Sequence, residues 1–354
     1  MAMVELKNIR KKLGGVDILN GVDLSVEEGE VVVILGPSGS GKTTLLRTIN
    51  FLAPADQGTI TIDGLTVDSQ KHHHKETLAL RRKTGMVFQN YNLFRNKTVL
   101  QNITEGLTTV RKIPHEQAVE TAMALLKKVN LENRASAYPA QLSGGQAQRT
   151  ALARIMVSDP KLLLLDEPFS ALDAHLRDKL MIEMRDVLAK FGREVIMVTH
   201  SRDEAYNMSR EIAVMDEGKL LAKNKTKALF ADPGSVPAAI LTGCKNIASA
   251  EKRGEHEVYI PEWGVTLTTA QSVGDNVKAI GIRAHYFNPT APTNRFVVEY
   301  IEEMEEPFEW IIEFRPRSAA ADAQGVWWRV SKDKRPQSFP AELGIAPANI
   351  LLLY

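Results

Sequence analysis

The chain has 354 residues, 44% hydrophobic and 25% charged, the profile of a protein with real apolar cores and length for two or three domains. Lysine and arginine number 44 against 43 acidic residues, which excludes a general nucleic-acid binder, since that needs excess positive charge to displace counterions. A single cysteine, Cys244, excludes an intrachain disulfide and fits a reducing compartment.

Residues 1–7 show no basic segment followed by an apolar stretch, so no export signal is expected. Apolar runs such as 31–35 and 162–165 are strand-sized, far short of the ~20 residues of a membrane span. Any membrane role is therefore expected to pass through a partner. Up to about residue 235, strand-like and helix-like segments alternate, the pattern of an α/β domain. Residues 31–35 are β-branched and continuously apolar, fit for a buried parallel strand. Asp63-Gly64 between Thr59-Ile60-Thr61-Ile62 and Leu65-Thr66-Val67 signals a two-residue hairpin. Pro114 opens a helix with apolar Ala118, Ala122, Leu125 and Val129. A second helix carries Leu176, Leu180, Met184, Val187 and Phe191 and stops at Gly192, and 195–198 is another buried strand. At Asp232-Pro233-Gly234-Ser235 the character changes. From about residue 246 short alternating segments at 257–260, 277–282, 296–301, 310–314 and 326–330 predict a small β-rich second domain.

Gly36-Pro37-Ser38-Gly39-Ser40-Gly41-Lys42-Thr43 satisfies the phosphate-loop pattern G-x-x-x-x-G-K-[ST], after a strand and before a helix with Leu45, Leu46 and Ile49. The glycines let backbone N–H groups curl around phosphate oxygens, and the helix that follows points its positive end at them. Lys42 is expected to reach the β- and γ-phosphates and the Thr43 hydroxyl to ligate Mg²⁺, with Thr44 next to it in the nucleotide site. A second signal is Leu162-Leu163-Leu164-Leu165-Asp166-Glu167, an apolar strand ending in two carboxylates. Neighbouring strand residues point opposite ways, so the two must do different work: Asp166 towards Mg²⁺, Glu167 towards an attacking water. Third, Ser143 can cap the helix with Ala151, Leu152, Ile155 and Met156 that ends at Asp159-Pro160, where Gly144 and Gly145 bare its first amides. That is a second anion site in a chain that already has one.

These segments, with Gln89 after Met86-Val87-Phe88, Ser170-Ala171-Leu172-Asp173 and Val198-Thr199-His200, stand in an order that resembles the ABC-transporter ATPases over about residues 3–235. Leu142-Ser143-Gly144-Gly145-Gln146 is highly specific in that order. The resemblance implies an α/β nucleotide-binding domain over residues 1–235 with a helical insert at about 90–160. It also implies a TOBE/MOP-like β-rich regulatory domain at 246–354, and ATP and Mg²⁺ as cofactors. It implies that Gln89 touches the metal and water and senses the permease, that Asp173 lies in a dimer-contact loop, and that His200 contacts the γ-phosphate. Two subunits are expected to face head to tail, with Ser143, Gly144, Gly145 and Gln146 of one covering the nucleotide on Lys42 of the other.

Two departures from the family pattern stand out. Leu13, in Lys11-Lys12-Leu13-Gly14, occupies the place of the aromatic residue that usually stacks on adenine, so weaker or less base-selective nucleotide binding is expected. Ala147 replaces a long polar residue, with little expected effect.

Other segments read more simply. His72-His73-His74 fits a solvated loop better than a metal site, because adjacent ligands seldom converge on one ion. Arg81-Arg82-Lys83 reads as helix-surface charge. Tyr91, Leu93 and Phe94 either pack or help receive a permease, and Trp327-Trp328 suit core and sheet surface better than a ligand cage.

The resemblance points in two directions on the solute. Residues 86–94, with Lys97-Thr98-Val99 and Gly106-Leu107, resemble polar amino-acid importers, cystine types among them. Residues 164–173 and the tail with Gly281-Ile282-Arg283-Ala284-His285-Tyr286-Phe287 resemble molybdate/sulfate importers. The leading expectation is an importer ATPase: a homodimer, peripheral on the cytoplasmic face of the membrane, with a permease and an extracytoplasmic solute-binding protein and without nucleic acid. A soluble ABC ATPase of translation or repair fits less well, since the chain has one cassette and no heptad run. A nucleotide-gated regulator fits less well because the Asp166-Glu167 pair is intact.

Overall fold

The computed structural model describes residues 2–170, 174–320 and 323–354. The chain divides into two compact units, Met1–Thr226 and Lys227–Tyr354. In the first, β1 (Val4–Leu13) and β2 (Val16–Val26) form a hairpin, followed by β3 (Val31–Leu35) and α1 (Lys42–Ile49). A second hairpin, β4 (Gln57–Ile62) and β5 (Leu65–Asp68), turns at Asp63 (φ 50°) and Gly64 (φ 73°), the paired left-handed residues that the Asp-Gly signal calls for. Then come α2 (His74–Lys83) and β6 (Thr84–Val87). Between β6 and the next strand lies a helical segment. It consists of α3 (Val99–Glu105), a π-helical turn at Gly106–Val110, α4 (His115–Lys128) and α5 (Gly144–Met156). The unit continues with β7 (Leu162–Asp166), α6 (Ala174–Phe191), β8 (Glu194–Thr199), α7 (Arg202–Met208), β9 (Glu211–Asp216) and β10 (Lys219–Lys225).

Two sheets organise this unit. One is antiparallel, in the order β2-β1-β4-β5. The other runs β10-β9-β3-β8-β7-β6, with β9, β3, β8, β7 and β6 parallel and β10 antiparallel at the edge. The continuous apolar runs of β3 and β7 follow from burial on both faces: Val32, Ile34, Leu162 and Leu164 are fully enclosed in one core with Leu6, Leu45 and Phe51. In α4 the core position is Leu126 and not Leu125, because the inward face continues 118, 122, 126 by steps of four. Gly192 ends α6 with φ 65°, its N–H returning to the Leu188 carbonyl at 3.2 Å.

The second unit begins around α8 (Thr226–Ala231) and α9 (Val236–Leu241). It continues through β11 (Asn246–Ser249), β12 (Glu251–Gly254), β13 (Glu257–Ile260), β14 (Val265–Thr268) and β15 (Ala279–Ile282). The remaining strands are β16 (Phe296–Glu305), β17 (Glu309–Pro316), β18 (Val326–Ser331), β19 (Glu342–Leu343) and β20 (Ile350–Leu353). They make three sheets, β11-β15-β20, β12-β13-β14 and β18-β17-β16-β19. Their shared core includes Trp263, Phe287, Phe314 and Trp328. Trp328 is thus core, while Trp327 is half-buried under the Lys245 ammonium, 5.9 Å from its ring centroid. Arg283 donates to the Phe230 carbonyl at 2.5 Å and the Thr242 carbonyl at 2.6 Å, tying residues before Asn246 into this unit.

Candidate active site

Parallel register brings three chain segments to one edge. Leu35 pairs with Thr199 and Asp166 with Val198, so Gly36, Glu167 and His200 each leave their strands at the same level. Backbone bonds fix this: Gly36 N–H donates to the Thr199 carbonyl at 3.3 Å, and Glu167 N–H to the Val198 carbonyl at 3.1 Å. Ligands of open parallel sheets bind outside these carboxyl ends.

The glycine loop has no room for side chains where it turns. A Cβ on Gly36 would sit 2.2 Å from the Met215 carbonyl oxygen, and Gly41 takes φ 101° with the Ile18 carbonyl 2.8 Å from where its Cβ would be. Gly39 also has positive φ, 84°, over open space. Pro37 and Ser38 sit between these turns and precede α1. Ser40 Oγ is buried with no hydrogen-bond partner, a polar atom suited to an incoming oxygen. Lys42 is buried, its ammonium donating to the Gly36 carbonyl at 2.9 Å and the Pro37 carbonyl at 2.7 Å. Burial holds its pKa below the ordinary lysine value, opposed by the nearby Glu167 and Asp166 carboxylates. Thr43 Oγ1 donates to Asp166 Oδ1 at 2.7 Å, and Thr44 is half-buried in the next position of α1.

Asp166 is only 3% exposed, and burial raises its pKa despite the Thr43 bond and the Arg47 charge. Glu167 faces the other way, Oε2 lying 3.2 Å from Nδ1 of His200. The two carboxylates meet different partners, but Glu167 lies past the end of β7, so the turn and not strand alternation separates them. Glu167 holds φ 43°, left-handed for a non-glycine residue, a strain of roughly 1–3 kcal/mol of the kind concentrated at functional sites. Behind His200, Thr199 Oγ1 donates to Glu204 Oε2 at 2.5 Å and accepts from Ser201 N–H at 3.0 Å. Burial raises the Glu204 pKa.

A hard oxygen pair, Thr43 and Asp166, fits Mg²⁺, which takes one or two carboxylates and completes its shell with water and substrate phosphates. No cluster of three or more His, Cys, Asp or Glu capable of holding a metal occurs among the described residues, so a dedicated all-protein cage is not offered. Gln89 is exposed on the turn after β6, whose register with β7 sends it out at the same edge; no hydrogen bond joins it to Thr43 or Asp166 among the described residues. Leu13 is 48% exposed at the β1–β2 turn.

Where a second anion site was expected, the structure has a capped helix start. Gln146 N–H donates to Ser143 Oγ at 3.3 Å, and Ser143 N–H to Gln146 Oε1 at 3.0 Å. Ser143 and Gly144 are exposed, but Gly145 is buried, its missing Cβ replaced by Leu180 Cδ2 at 2.3 Å. Asp173 lies outside the described residues. His72 packs edge-on against Phe51 with ring centroids 5.2 Å apart, and its Nδ1 meets the Ser69 carbonyl at 3.0 Å; it is a structural residue. Arg81 is likewise structural, donating to the Phe51 carbonyl at 2.6 Å.

Sequence reasoning passed over Gln148, Arg154 and Glu204. Gln148 is 1% exposed and donates to the Pro168 carbonyl at 2.9 Å. Arg154 donates to the carbonyls of Tyr91 at 2.9 Å and Asn92 at 2.6 Å. A polar residue three and four positions before the apolar Ala151 and Leu152, on the inward face of α5, was the available signal for Gln148, and Ser201 three residues before Glu204 for that carboxylate.

Comparison with known proteins agrees with this arrangement. The ABC transporter family profile matches residues 19–170. The chain is 44% identical over 236 residues to the L-cystine transport system ATP-binding protein TcyN of Escherichia coli K12, covering 66% of this chain and 94% of that protein. It is 42% identical over 233 residues to the glutamine transport ATP-binding protein GlnQ of the same strain, covering 66% and 95%. The dimeric cassette MJ0796 bound to ADP and Pi matches with a TM-score of 0.55 at 35% identity, over 63% of this chain and 99% of that one. CbiO1 of Clostridium perfringens, part of the ABC transporter complex cbiONQ, matches with a TM-score of 0.60 at 28% identity, over 66% and 92%. Among the described residues no helix is long and apolar enough to cross a membrane. The chain belongs to the ABC transporter family, as an ATP-hydrolysing ATP-binding subunit built on the phosphate loop that closes β3.

Proposed function

We propose that this subunit powers the import of a polar amino acid. It works as a homodimer on the cytoplasmic face of the membrane, against a permease fed by an extracytoplasmic solute-binding protein. The observation that carries the ATPase half of this reading is the shared strand edge. There the Thr43–Asp166 pair and the Glu167–His200 pair gather with Lys42. For the solute, the support is the 44% and 42% identity to cystine and glutamine transport subunits, together with the segment around Gln89. The oxyanion alternative rests on the resemblance of residues 164–173 and of the tail with residues 281–287, and none of the relatives named above is an oxyanion transporter.

In this reading ATP lies in the loop formed by Gly36, Pro37, Ser38, Gly39, Ser40 and Gly41, on backbone N–H groups from Ser38 onward, with Ser40 Oγ as a further donor. Lys42 exchanges the Gly36 and Pro37 carbonyls for phosphate oxygens. Thr43, Asp166 and Gln89 would hold Mg²⁺, which supplies neutralisation of phosphate charge. Glu167 polarises the attacking water, and His200, held beside it at 3.2 Å, donates towards the γ-phosphate. Ser143 and Gly144 of the second copy cover the triphosphate with the amides of α5, and Asp173 contributes to the dimer contact.

Glu167→Gln should bind ATP, dimerise and lose phosphate release by at least about 100-fold, the scale of a lost general base. Undiminished release would refute the role of Glu167. With the co-purified permease and binding protein in vesicles, L-cystine or L-glutamine should raise ATP turnover while molybdate and sulfate leave it flat. Stimulation by the oxyanions alone would reverse the solute assignment.

A further inference from the structure

Glu167 is strained for two separate reasons. Its φ of 43° is left-handed, and it precedes Pro168, whose ring ordinarily pushes the residue before it to extended backbone. Such a conformation persists only where its surroundings over-determine it. Upstream, Glu167 N–H is tied to the Val198 carbonyl at 3.1 Å. The Glu167 carbonyl accepts from Ser170 N–H at 3.2 Å and Ser170 Oγ at 2.9 Å. A further restraint, besides that from Val198, comes from outside the turn. The Pro168 carbonyl accepts from Gln148 Nε2 at 2.9 Å and from the Tyr91 hydroxyl at 3.4 Å, both buried donors.

We propose that Gln148 and Tyr91 are positioning residues for Glu167, acting through the Pro168 carbonyl that they share. Without these donors the turn relaxes towards extended backbone, and the carboxylate moves off its station beside His200. Gln148 cannot shift easily, because its primary amide is enclosed on α5 and loses its partner if it leaves that carbonyl. Tyr91 has a second attachment. It and Asn92 hold φ of 59° and 47°, and Arg154, also on α5, grips both their carbonyls. Helix α5, which begins at Ser143, therefore holds two strained turns, the one after Gln89 and the one carrying Glu167. They meet at a single carbonyl oxygen. A displacement of the Gln89 segment reaches the base through Tyr91, without passing through the nucleotide.

This inference rests on Glu167 being the base, and the test separates the two. Steady-state ATPase assays on the full chain should show kcat of Gln148→Met reduced between about 10- and 100-fold, the cost of misplacing a reacting group by about an ångström. KM for ATP should stay within about twofold, since no phosphate-binding group is touched. Tyr91→Phe, which removes one long hydrogen bond and no volume, should lower kcat by about threefold, on the order of 0.7 kcal/mol. In single-turnover phosphate release, Gln148→Met added to Glu167→Gln should cost nothing further, because residues acting as one unit are not additive. Three results overturn the proposal: both single variants retaining kcat, kcat and KM changing together, or losses that multiply in the double variant. If Gln148→Met does not fold, Tyr91→Phe decides, with unchanged kcat overturning it. Full turnover in Glu167→Gln would remove the base assignment and this inference with it, whereas a dead Glu167→Gln beside an unimpaired Gln148→Met would remove this inference alone.

Discussion

Leu13 and Val16 flank the Gly14-Gly15 turn of the first hairpin and are 48% and 62% exposed, an aliphatic pair facing solvent. They offer a base apolar area but no ring face. Leu13→Tyr should tighten ATP binding by about 1–3 kcal/mol, the worth of one base–aromatic stack, and should widen the ratio of the GTP to the ATP dissociation constant. Unchanged constants for both nucleotides, measured by titration calorimetry, would show that the base is held elsewhere. Leu13 was legible because a motif fixes the place it occupies. Asp166 and Glu167 were legible for a different reason: an apolar strand ending in two carboxylates marks them, although it is the left-handed turn at Glu167, and not strand alternation, that gives them the separate partners Thr43 and His200. Gln148 and Glu204 were not. Gln148 meets Pro168 20 residues on, a proximity that only the folded sheet creates, whereas Glu204 meets Thr199 only 5 residues back and was hidden by its burial.

Among elements, α5 combines the most duties: its N-terminus carries the capping box, its inward face holds Gln148 and Arg154, and Gly145 lets it approach α6. A methyl group at Gly145 would fall 2.3 Å from Leu180 Cδ2. Gly145→Ala brings overpacking of about 1–3 kcal/mol against a helix-propensity gain of about 1 kcal/mol, so the close contact decides the sign. A melting temperature lower by about 2–4 °C is expected, and Leu180→Val in the same chain should recover most of it. A stabilised single variant would mean that α6 yields freely at Leu180. Period was a good guide where elements are regular, as at Asp63-Gly64 or the end of α6. It failed at β1, because register shifts separate Leu6 from Ile9 by three residues and destroy the alternation that marks a strand. It also fell short at β16 and β17, whose ends carry Glu302, Glu305 and Glu309 in cross-strand pairs that composition reads as loop.

Across the whole molecule, the two units carry separate apolar cores: Leu6, Phe51 and Leu164 lie in one, Phe287, Phe314 and Trp328 in the other. In the sequence, alternating strand-like and helix-like segments give way to short strand-like ones. The change falls at Asp232-Pro233-Gly234-Ser235, whereas the second unit begins at Lys227, with Arg283 tying Phe230 and Thr242 into it. Separate cores predict separate unfolding. On the proposed site, ATP with magnesium should bind the first unit in its folded form only, and at 100 times its dissociation constant stabilise that unit by about 2.7 kcal/mol. The second unit carries its own reporter. Cys244 is buried, and that burial pushes its thiol up to about 11, so at pH 8 roughly one molecule in a thousand presents a thiolate and alkylation requires opening. Thermal unfolding followed by calorimetry should therefore show two transitions, with ATP and magnesium raising one and leaving the Cys244 alkylation midpoint where it was. If the alkylation midpoint climbs with nucleotide as far as the calorimetric one, the units unfold together and the separation of their cores has no energetic counterpart.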